Sequence, residues 1–580
     1  MFLKITRPLF LIALLTFSAL AQAPFVPAPL HTKRAYDVQN YLIRSTIDYA
    51  QKKLTGQTTV TLKPLADGFI GFELDAGGMA IESVALDQET GGPKALEFKA
   101  LGEKLTVTLD RSYAAGTPLA VVIKYTITDA KKGVYFVDEQ REKDGKLVHP
   151  RQVWTQGEAE ENHFWFPCYD YPDDKATSEQ YVTVPAGDTA VANGELLDTT
   201  ENIDGTKTFH YKMSIPYSSY LTSFVAGDYA RVEAKYGNVP LGYYVYRGAE
   251  DVGPAAFGKT PQMIAAFEKL TGVKFPYPKY DQAIVADFKF GGMENITATT
   301  MADTEIMTAR MEIMRSYTDD LVSHELAHSW FGDMVTCKTW SQLWLNEGFA
   351  TFMEAAFKES EGGRKAYLEK VRNDAGRFMG DNLSNPRPHA LVNKNAKPDD
   401  DLFDVTTYQK GGTVLYMLRE TVGDAAFWKA VNNYLNAHKF DNVETADLQS
   451  AMEDASGQDL DWFFNEWVYS TGFPDLHIKS SYDPRKKMVT LDIQQMQKPS
   501  ADSVAAFTFP VEIQVLPAKK GAPVLQTIKI TQTRQTFQIR VAAPPKKILF
   551  DKDEKIMLKT VKFTGTIPMD GAKFLAMPNL

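Results

Sequence analysis

The chain has 580 residues, which is too long for one compact domain and indicates about three or four. Its content of 44% hydrophobic and 23% charged residues is ordinary for a globular protein and argues against a collagen-like, disordered or multi-span membrane chain. The net charge of −10 and the lack of a basic stripe argue against a nucleic-acid partner, because an acidic surface repels the phosphate backbone.

Residues 1–21 have the layout of a secretory signal peptide. Two basic residues precede a mostly apolar run from Leu9 to Leu20, which leads into two overlapping small-x-small cleavage sites, after Ala21 and after Ala23. A membrane anchor is the alternative, but the run is shorter than the about 20 residues that span a bilayer. We expect cleavage after Ala21 and an exported protein, periplasmic or secreted, with no membrane partner after the signal is removed.

Residues 30–235 are predicted to form a β domain. Stretches such as 58–62 and 119–128 are rich in β-branched residues and are separated by Gly, Pro and Asp, which is typical of strands joined by turns. The helical period of about 3.6 residues is rare in this region.

Residues 236–472 are predicted to be mainly helical. Helices are expected over 261–270, 316–331 and 345–357, with a short apolar strand at 282–286. Thr260 and Ser316 are expected to cap two of these helices at their N-termini, and Gly272 and Gly332 to follow their C-terminal ends.

Residues 473–580 return to strand-like alternation. Apolar residues at 489, 491 and 493 alternate with polar ones, and the same pattern recurs at 511–515 and 537–541. This pattern predicts a small antiparallel β domain with one solvated face.

The two cysteines, Cys168 and Cys337, do not form a disulfide framework. Whether they pair is left open, because the sequence cannot show how closely they approach. A thiolate zinc site is not indicated, and we expect both to be buried packing residues.

The first chemical signature is an H-E-x-x-H motif formed by His324, Glu325 and His328. It lies in a predicted helix, where residues four positions apart share one face, so both imidazoles can reach one metal ion. Glu325 stands beside them and can take a proton from water at that metal. A chance match on a surface helix is the alternative, and it is disfavoured because only 9 of the 580 residues are histidine.

Glu347 is the predicted third ligand, because two histidines and one glutamate form a known catalytic zinc set. Residues 329–346, eighteen in all, separate it from His328, and a helix folded back over that distance would bring its carboxylate to the metal. Taken alone, Glu347 would be an ordinary acid at a helix N-terminus. We expect one Zn²⁺ per chain, and we expect Glu354 to accept a hydrogen bond from a ligand histidine rather than to be an exposed acid.

These spacings resemble the gluzincin metallopeptidases, and Gly291-Gly-Met-Glu-Asn295 resembles the exopeptidase motif of the M1 aminopeptidase family. Trp154-Thr-Gln-Gly-Glu158 and Phe166-Pro-Cys-Tyr-Asp170 are similar to motifs of that family's N-terminal domain. Tyr408-Gln-Lys-Gly-Gly412 is similar to its catalytic tyrosine motif. The resemblance implies an α+β multidomain fold: an N-terminal β domain, a mainly α thermolysin-like zinc catalytic domain at 236–472 and a C-terminal small β-sandwich domain.

The resemblance also implies roles for individual residues. Tyr408 would donate a hydrogen bond from its hydroxyl to the developing oxyanion. Without the resemblance to the family, a packed aromatic ring would be the preferred interpretation. Glu294 and Glu158 would bind the α-ammonium group of the substrate, with Gln156 beside Glu158. As isolated acids, both glutamates would more often be solvated surface groups.

A substrate backbone is expected along the edge formed by Gly291, Gly292 and Met293, because glycines allow close approach. The sequence departs from the family pattern at Gly292, where alanine is frequent, and at Asp333, where asparagine is usual. Neither departure is expected to touch the reaction.

The resemblance implies an exported zinc aminopeptidase that acts on peptides with a free N-terminus. One rival is an epoxide hydrolase of the same family, which uses glutamine where this chain has Glu158. A second is a non-catalytic peptide-binding scaffold, which would lack ligands or the base. A third is a thermolysin-type endopeptidase, which would lack the motif that begins at Gly291.

Overall fold

A computed structural model describes residues 34–88, 92–385, 388–393, 402–498, 500 and 502–571. The signal peptide predicted at residues 1–21 lies outside the described residues. Within them the chain forms a β region, a mainly helical region and a second β region, in that order. This arrangement confirms the predicted α+β multidomain organisation.

The N-terminal region is built from sheets whose largest has eight strands in the order β15-β16-β13-β1-β2-β8-β4-β5. Smaller sheets have the orders β14-β17-β12-β9, β3-β7-β6 and β10-β11. The strands are β1 Tyr36–Asp48, β2 Lys53–Pro64, β3 Phe69–Asp75, β4 Ala80–Leu86, β5 Lys94–Ala95, β6 Glu97–Leu101, β7 Lys104–Tyr113, β8 Leu119–Thr128, β9 Val134–Val137, β10 Gln140–Arg141, β11 Leu147–His149, β12 Gln152–Thr155, β13 Lys175–Pro185, β14 Thr189–Ala192, β15 Glu195–Glu201, β16 Thr206–Ser218 and β17 Phe224–Gly227.

Strands β2 and β8 confirm the strands predicted at 58–62 and 119–128. Every second residue of each strand is buried, and Val60 and Val121, which are paired across the two strands, have no exposed surface. Because alternate side chains of a strand point to opposite faces, this alternation puts one face of the sheet on the core.

The middle region begins with a five-stranded sheet of order β18-β19-β20-β22-β21. Its strands are β18 Tyr229–Tyr236, which spans the predicted boundary at 235 and 236, β19 Val239–Tyr246, β20 Tyr280–Val285, β21 Gly292–Met293 and β22 Ala298–Ala302. A short parallel pair joins β23 Thr336–Cys337 to β24 Asn442–Val443.

Helices make up most of the middle region. They are α1 Val252–Phe257, α2 Thr260–Thr271, α3 Asp303–Ile306, α4 Arg315–Ala327, α5 Trp344–Ser384, α6 Gly411–Val422, α7 Asp424–Ala437, α8 Thr445–Ser456 and α9 Asp461–Phe463, with π-helical turns at Thr406–Lys410 and Phe464–Val468. No described helix combines the length and the apolar composition that a membrane span requires.

Several helix boundaries differ from the sequence prediction. Thr260 and Ser316 are not N-caps: they lie in the first turns of α2 and α4, whose N-cap residues are Lys259 and Met314.

Helix α4 ends at Ala327 rather than at Phe331. Beyond it the chain tightens into hydrogen bonds between residues three positions apart, from Ser329 N–H to Leu326 O and from Trp330 N–H to Ala327 O. Helix α5 continues far beyond 357 but is broken at Gly363, whose φ of 66° lies in the left-handed region. A glycine adopts that conformation at little cost, so the second half of α5 can change direction there.

The described residues of the C-terminal region form two four-stranded sheets, which confirms the predicted β sandwich. The region is not wholly antiparallel as predicted, because the strands at 560–565 and 569–571 pair parallel to their neighbours. The orders are β29-β26-β25-β31 and β28-β27-β30-β32. The strands are β25 Asp475–Asp483, β26 Met488–Gln495, β27 Phe509–Pro517, β28 Val524–Ile530, β29 Arg534–Arg540, β30 Pro545–Phe550, β31 Thr560–Gly565 and β32 Met569–Gly571. The predicted alternation holds on β26, where Val489, Leu491 and Ile493 are buried.

The N-terminal and middle regions are joined by partly buried polar contacts. Lys175 on β13 donates from Nζ to the backbone oxygens of Asp333 and Met334, both at 3.1 Å. Trp340 donates from Nε1 to Glu160 Oε1 at 2.8 Å. These bonds tie the N-terminal sheets to the segment between α4 and α5. Cys168 and Cys337 are both buried free thiols, as expected for packing residues.

Helix α5 approaches the start of α6 through two glycines. A Cβ atom on Gly411 would lie 2.8 Å from the Cα atom of Gly348, and one on Gly348 would lie 3.0 Å from the Cα atom of Gly411. The two backbones therefore touch at a separation that no larger residue permits. Glu347 and Tyr408 stand immediately beside this crossing, so it sets how closely they approach.

We expect Gly411→Ala to destabilise the protein by about 1–3 kcal/mol, because backbone atoms must move to admit the methyl group. The matched control is Gly376→Ala on α5, whose added Cβ would meet nothing within 4 Å. That change should raise stability by up to about 1 kcal/mol, the helix-propensity gain. Chemical denaturation of both variants measures the difference, and equal stabilities would contradict the close-contact explanation.

Candidate metal centre and catalytic cleft

His324 and Glu325 lie in the last turn of α4, and His328 is the residue that caps its C-terminal end. The rings of His324 and His328 have centroids 4.9 Å apart, and both side chains are nearly fully buried. His324 Nε2 lies 3.0 Å and His328 Nε2 3.3 Å from the same carboxylate oxygen, Glu347 Oε2. The three ligand atoms therefore converge on one point.

Glu347 reaches this point because α5 packs back against α4. It lies in the first turn of α5. The ring of Phe331, just after α4, stacks on the ring of Phe349 on α5 with 4.3 Å between their centroids. The neighbouring Asn346 accepts a hydrogen bond from Cys337 N–H at 3.0 Å and donates to Tyr220 Oη at 3.2 Å. These contacts fix the start of α5 against the turn that follows the metal-ligand helix.

The remaining nitrogen of each histidine is already engaged. His324 Nδ1 lies 2.8 Å from Glu354 Oε1, and His328 Nδ1 lies 2.9 Å from the backbone oxygen of Phe331. Both partners are acceptors, so each Nδ1 carries the proton and each Nε2 is left for a metal. Glu354 is held in turn by Lys370, whose Nζ is 2.9 Å from its second oxygen.

All predicted site residues except Gln156 line one cavity of about 590 Å³. Gln156 lies in an adjoining cavity of about 500 Å³, and Glu158 lines both. Gln156 donates from Nε2 to Met293 Sδ at 3.3 Å, so it still touches the predicted substrate edge. The principal cavity is lined further by residues the sequence did not single out: Phe290, Glu305, Leu321, Thr351, Lys370, Arg377, Phe403 and Gln409.

Glu325 lies against the glycine edge of β21. A Cβ atom on Gly292 would lie 2.3 Å from Glu325 Oε1, so the carboxylate occupies the space that a side chain at 292 would take. The edge strand pairs antiparallel with β22 through Gly292 and Met293. Gly291, Gly292 and Met293 thus form one wall of the cavity, beside the carboxylate.

Tyr408 lies on the π-helical turn that precedes α6. Its ring is nearly parallel to that of His324, at 14° and 5.7 Å between centroids. Burial raises the pKa of the Tyr408 phenol well above its ordinary value, and the Glu347 carboxylate raises it further. The phenol therefore keeps its proton and is a hydrogen-bond donor at neutral pH.

Three segments of the chain match known family profiles. Residues 35–221 match the Peptidase M1 N-terminal domain, residues 255–467 the Peptidase family M1 domain, and residues 472–551 a domain of unknown function (DUF3458) with an Ig-like fold.

The chain belongs to peptidase family M1.

Curated relatives of this M1 chain include three aminopeptidases. The puromycin-sensitive aminopeptidase of Caenorhabditis elegans is 28% identical over 523 residues, which cover 87% of this chain and 54% of that protein. Aminopeptidase N of Streptomyces lividans is 29% identical over 511 residues, or 85% and 55% of the two chains. The alanine/arginine aminopeptidase of Saccharomyces cerevisiae is 28% identical over 430 residues, or 73% and 49%. The chain spans about half the length of the curated relatives it matches.

The donor set of this M1 chain fits the zinc that the family uses. One atom each from His324, His328 and Glu347 lies within 4.8 Å of the others. Two imidazoles and one carboxylate are a known catalytic zinc set, and both Nδ1 atoms are engaged elsewhere. His324, His328 and Glu347 would therefore hold the ion.

The cavity contains more buried carboxyl groups than imidazoles. Burial raises the pKa of Glu158 well above its ordinary value, and Glu294 and Glu347 raise it further. Burial also raises the pKa of Glu325 to about 8. Burial alone would raise the pKa of Glu347, but His328 and His324 hold it below its ordinary range. One oxygen each of Glu158 and Glu294 has no hydrogen-bond partner among the described residues.

Three contributors to the M1 site were missed at the sequence level. Lys370 holds Glu354, Tyr220 bonds to Asn346 beside Glu347, and Asp333 is buried just after the metal-ligand helix. Burial raises the pKa of Asp333 well above its ordinary value, and Glu294 adds to that effect. Only Asp333 carried a signal, as a departure from the family pattern, because the other two contacts depend on which segments meet in space.

We expect Glu354→Gln to weaken zinc binding by about 10–100-fold, because the amide polarises the His324 ring less than a carboxylate does. The matched control is Glu369→Gln, which alters an exposed acid on the same helix. Competition against a chelator of known affinity measures both variants. Zinc affinity equal to that of the unsubstituted protein would show that Glu354 does not support the ligand.

Proposed function

We propose that this protein is a zinc aminopeptidase that hydrolyses the first peptide bond of peptides with a free N-terminus. The observation that carries the proposal is a pair of buried carboxylates beside the metal ligands. Oxygens of Glu158 and Glu294 lie within 4.8 Å of each other and of an oxygen of Glu347. A substrate α-ammonium group is the cation that such a pair would bind at one fixed distance from the metal.

Exopeptidase action follows from this pair. A peptide bond in the middle of a chain offers no positive charge, so an internal substrate would leave both carboxylates buried and unpaired. Glu158 belongs to the N-terminal region and Glu294 to the middle region, so the amine site would form only where the two meet. The names of the curated relatives agree with this activity.

Zinc held by His324, His328 and Glu347 would polarise the scissile carbonyl and activate water near neutral pH. Glu325 would accept the proton from that water and return it to the leaving amine. Its carboxylate lines the same cavity as the metal ligands and lies against the Gly292 edge, which places it beside the expected substrate.

Tyr408 would stabilise the negative charge that develops on the carbonyl oxygen. Its ring lies over His324, its hydroxyl keeps its proton, and it lines the same cavity as Glu325. A donor in such a position typically contributes about 10²–10³-fold to kcat. Gly291, Gly292 and Met293 would receive the substrate backbone, and Gln156 would contact its first side chain from the adjoining cavity.

The test is hydrolysis of aminoacyl-p-nitroanilides with and without an N-acetyl cap. We expect only the uncapped substrates to be cleaved, because the cap removes the charge that the glutamate pair binds. Glu325→Gln should lower kcat by about 10²–10⁴-fold, since it removes the general base. Chelation should abolish activity and added zinc should restore it.

The matched control is Glu312→Gln, which alters an exposed acid just before α4 and should leave activity unchanged. Equal cleavage of capped and uncapped substrates would contradict the amine-binding role of Glu294 and Glu158. Cleavage by Glu325→Gln at the unsubstituted rate would contradict the assignment of the base.

We also propose that the protein is exported, on the strength of the signal-peptide layout of residues 1–21. N-terminal sequencing of the full-length chain, recovered from the periplasm or medium of a bacterial host, tests this. A mature chain that starts at Gln22 is expected, because we expect cleavage after Ala21. Recovery only inside the cell, with Met1 retained, would refute export.

A further inference from the structure

The turn that carries Tyr408 is capped by one carboxylate. Asp404 Oδ1 accepts hydrogen bonds from Thr406 N–H at 2.9 Å and from Thr407 N–H at 3.0 Å. The backbone oxygen of Asp404 accepts a third bond, from Tyr408 N–H at 3.1 Å. The orientation of Asp404 therefore sets the direction of the π-helical turn that begins at Thr406, and with it the position of Tyr408.

The second oxygen of Asp404 is bound by a histidine outside the metal centre. His389 Nε2 lies 2.9 Å from Asp404 Oδ2, and His389 Nδ1 lies 2.7 Å from the backbone oxygen of Ala390. Both ring nitrogens thus face acceptors. Only the imidazolium form has a proton on each nitrogen, so only that form can make both bonds at once.

His389 stands on a segment that is anchored to the body of the middle region. Val392 N–H donates to Val468 O at 3.3 Å, and Asn393 N–H donates to Ser341 O at 3.1 Å. Ser341 lies in the turn immediately before α5, the helix that supplies Glu347. A bond from His389 to Asp404 therefore connects the Tyr408 turn to the same framework that holds the metal ligand.

The charged groups of the described residues that face His389 are Asp404 and Lys410. Burial lowers the pKa of His389, but the bond and the charge of Asp404 outweigh it, so the net shift is upward, with Lys410 opposing. Lys410 is itself committed to Ser470 O at 2.9 Å. The surroundings therefore favour the imidazolium form over the neutral ring.

We propose that His389 is a positioning residue, which as an imidazolium holds Asp404 and through it keeps the Tyr408 hydroxyl at the reacting carbonyl. The inference rests on the proposed function for its effect on catalysis. A histidine with a raised pKa stabilises the arrangement at low pH, and the stabilisation is lost as the pH rises through that pKa. The neutral ring can no longer donate from both nitrogens, so Asp404, which caps the Tyr408 turn, is held less firmly.

The kinetic test compares His389→Gln with the unsubstituted enzyme across pH. We expect kcat to fall by about 10–100-fold below the pKa of His389, because a small misplacement of a reacting group has that effect. KM should change by less than about twofold, since the amine-binding glutamates are untouched. The ratio of the two kcat values should approach one as the pH rises and the native histidine also becomes neutral. The control, His477→Gln, alters a partly exposed histidine on β25 and should leave kcat unchanged.

A double-mutant cycle separates positioning from general damage to the fold. In a Tyr408→Phe background, the further change His389→Gln should alter kcat by less than about twofold, because the hydroxyl that it positions is already gone. A full additional loss in that background would overturn the proposal. An unchanged kcat in the single variant would do so as well.

Histidine titration by NMR tests the ion pair without any activity. The resonance that disappears in His389→Gln identifies the residue, and its pKa should lie above the ordinary value of about 6.5. Asp404→Asn should lower that pKa, and a value at or below about 6.5 that does not respond to Asp404→Asn would overturn the pair. If the unsubstituted protein cleaves no uncapped substrate, the proposed function fails, while this titration still decides whether the pair exists.

Discussion

The cleft of this protein gathers more buried carboxylates than its histidines can neutralise. Glu158, Glu294, Glu325 and Glu347 line one cavity with His324 and His328. Carboxylates crowded in a buried site repel one another and lose solvation, so the arrangement requires cations. In the proposed function a metal ion meets this requirement at Glu347 and a substrate ammonium group meets it at Glu158 and Glu294.

This cluster of carboxyl groups is held in place by contacts between separate parts of the chain. The N-terminal region supplies Glu158, and its Lys175 binds the backbone just after the metal-ligand helix. Within the middle region, the close contact of Gly348 with Gly411 sets the distance between the third ligand and the tyrosine turn. Because both contacts involve backbone atoms, they leave little freedom for the groups in the cleft to move apart.

His324 and the turn of Tyr408 are each supported by further residues behind them. Glu354 and Lys370 support His324, while Asp404 and His389 support the turn of Tyr408. Such partners fix the direction of a side chain, which a single bond to a flexible group cannot do. The supports differ in kind: that of His324 is a network of buried charges, and that of Tyr408 ends in a histidine whose pKa is raised by the bond to Asp404 and by its charge, although burial lowers it.

The sequence by itself determined the order of the β, helical and β regions and indicated the metal ligands. Both depend on patterns within short stretches of chain: alternation or helical period for the regions, and residue spacing for the ligands. His324 and His328 share a helix face, and strands reveal themselves by alternation. The sequence also predicted the role of Glu354, because it lies seven residues after Glu347 on the same helix face. Only the tertiary structure decided where α4 ends, where α5 breaks at Gly363, and that Lys370, Tyr220 and His389 reach the site. Tyr220 and Asn346 are far apart in the chain, while the contacts of Lys370 with Glu354 and of His389 with Asp404 close over about 15 residues. No local pattern records which residues will meet in these ways.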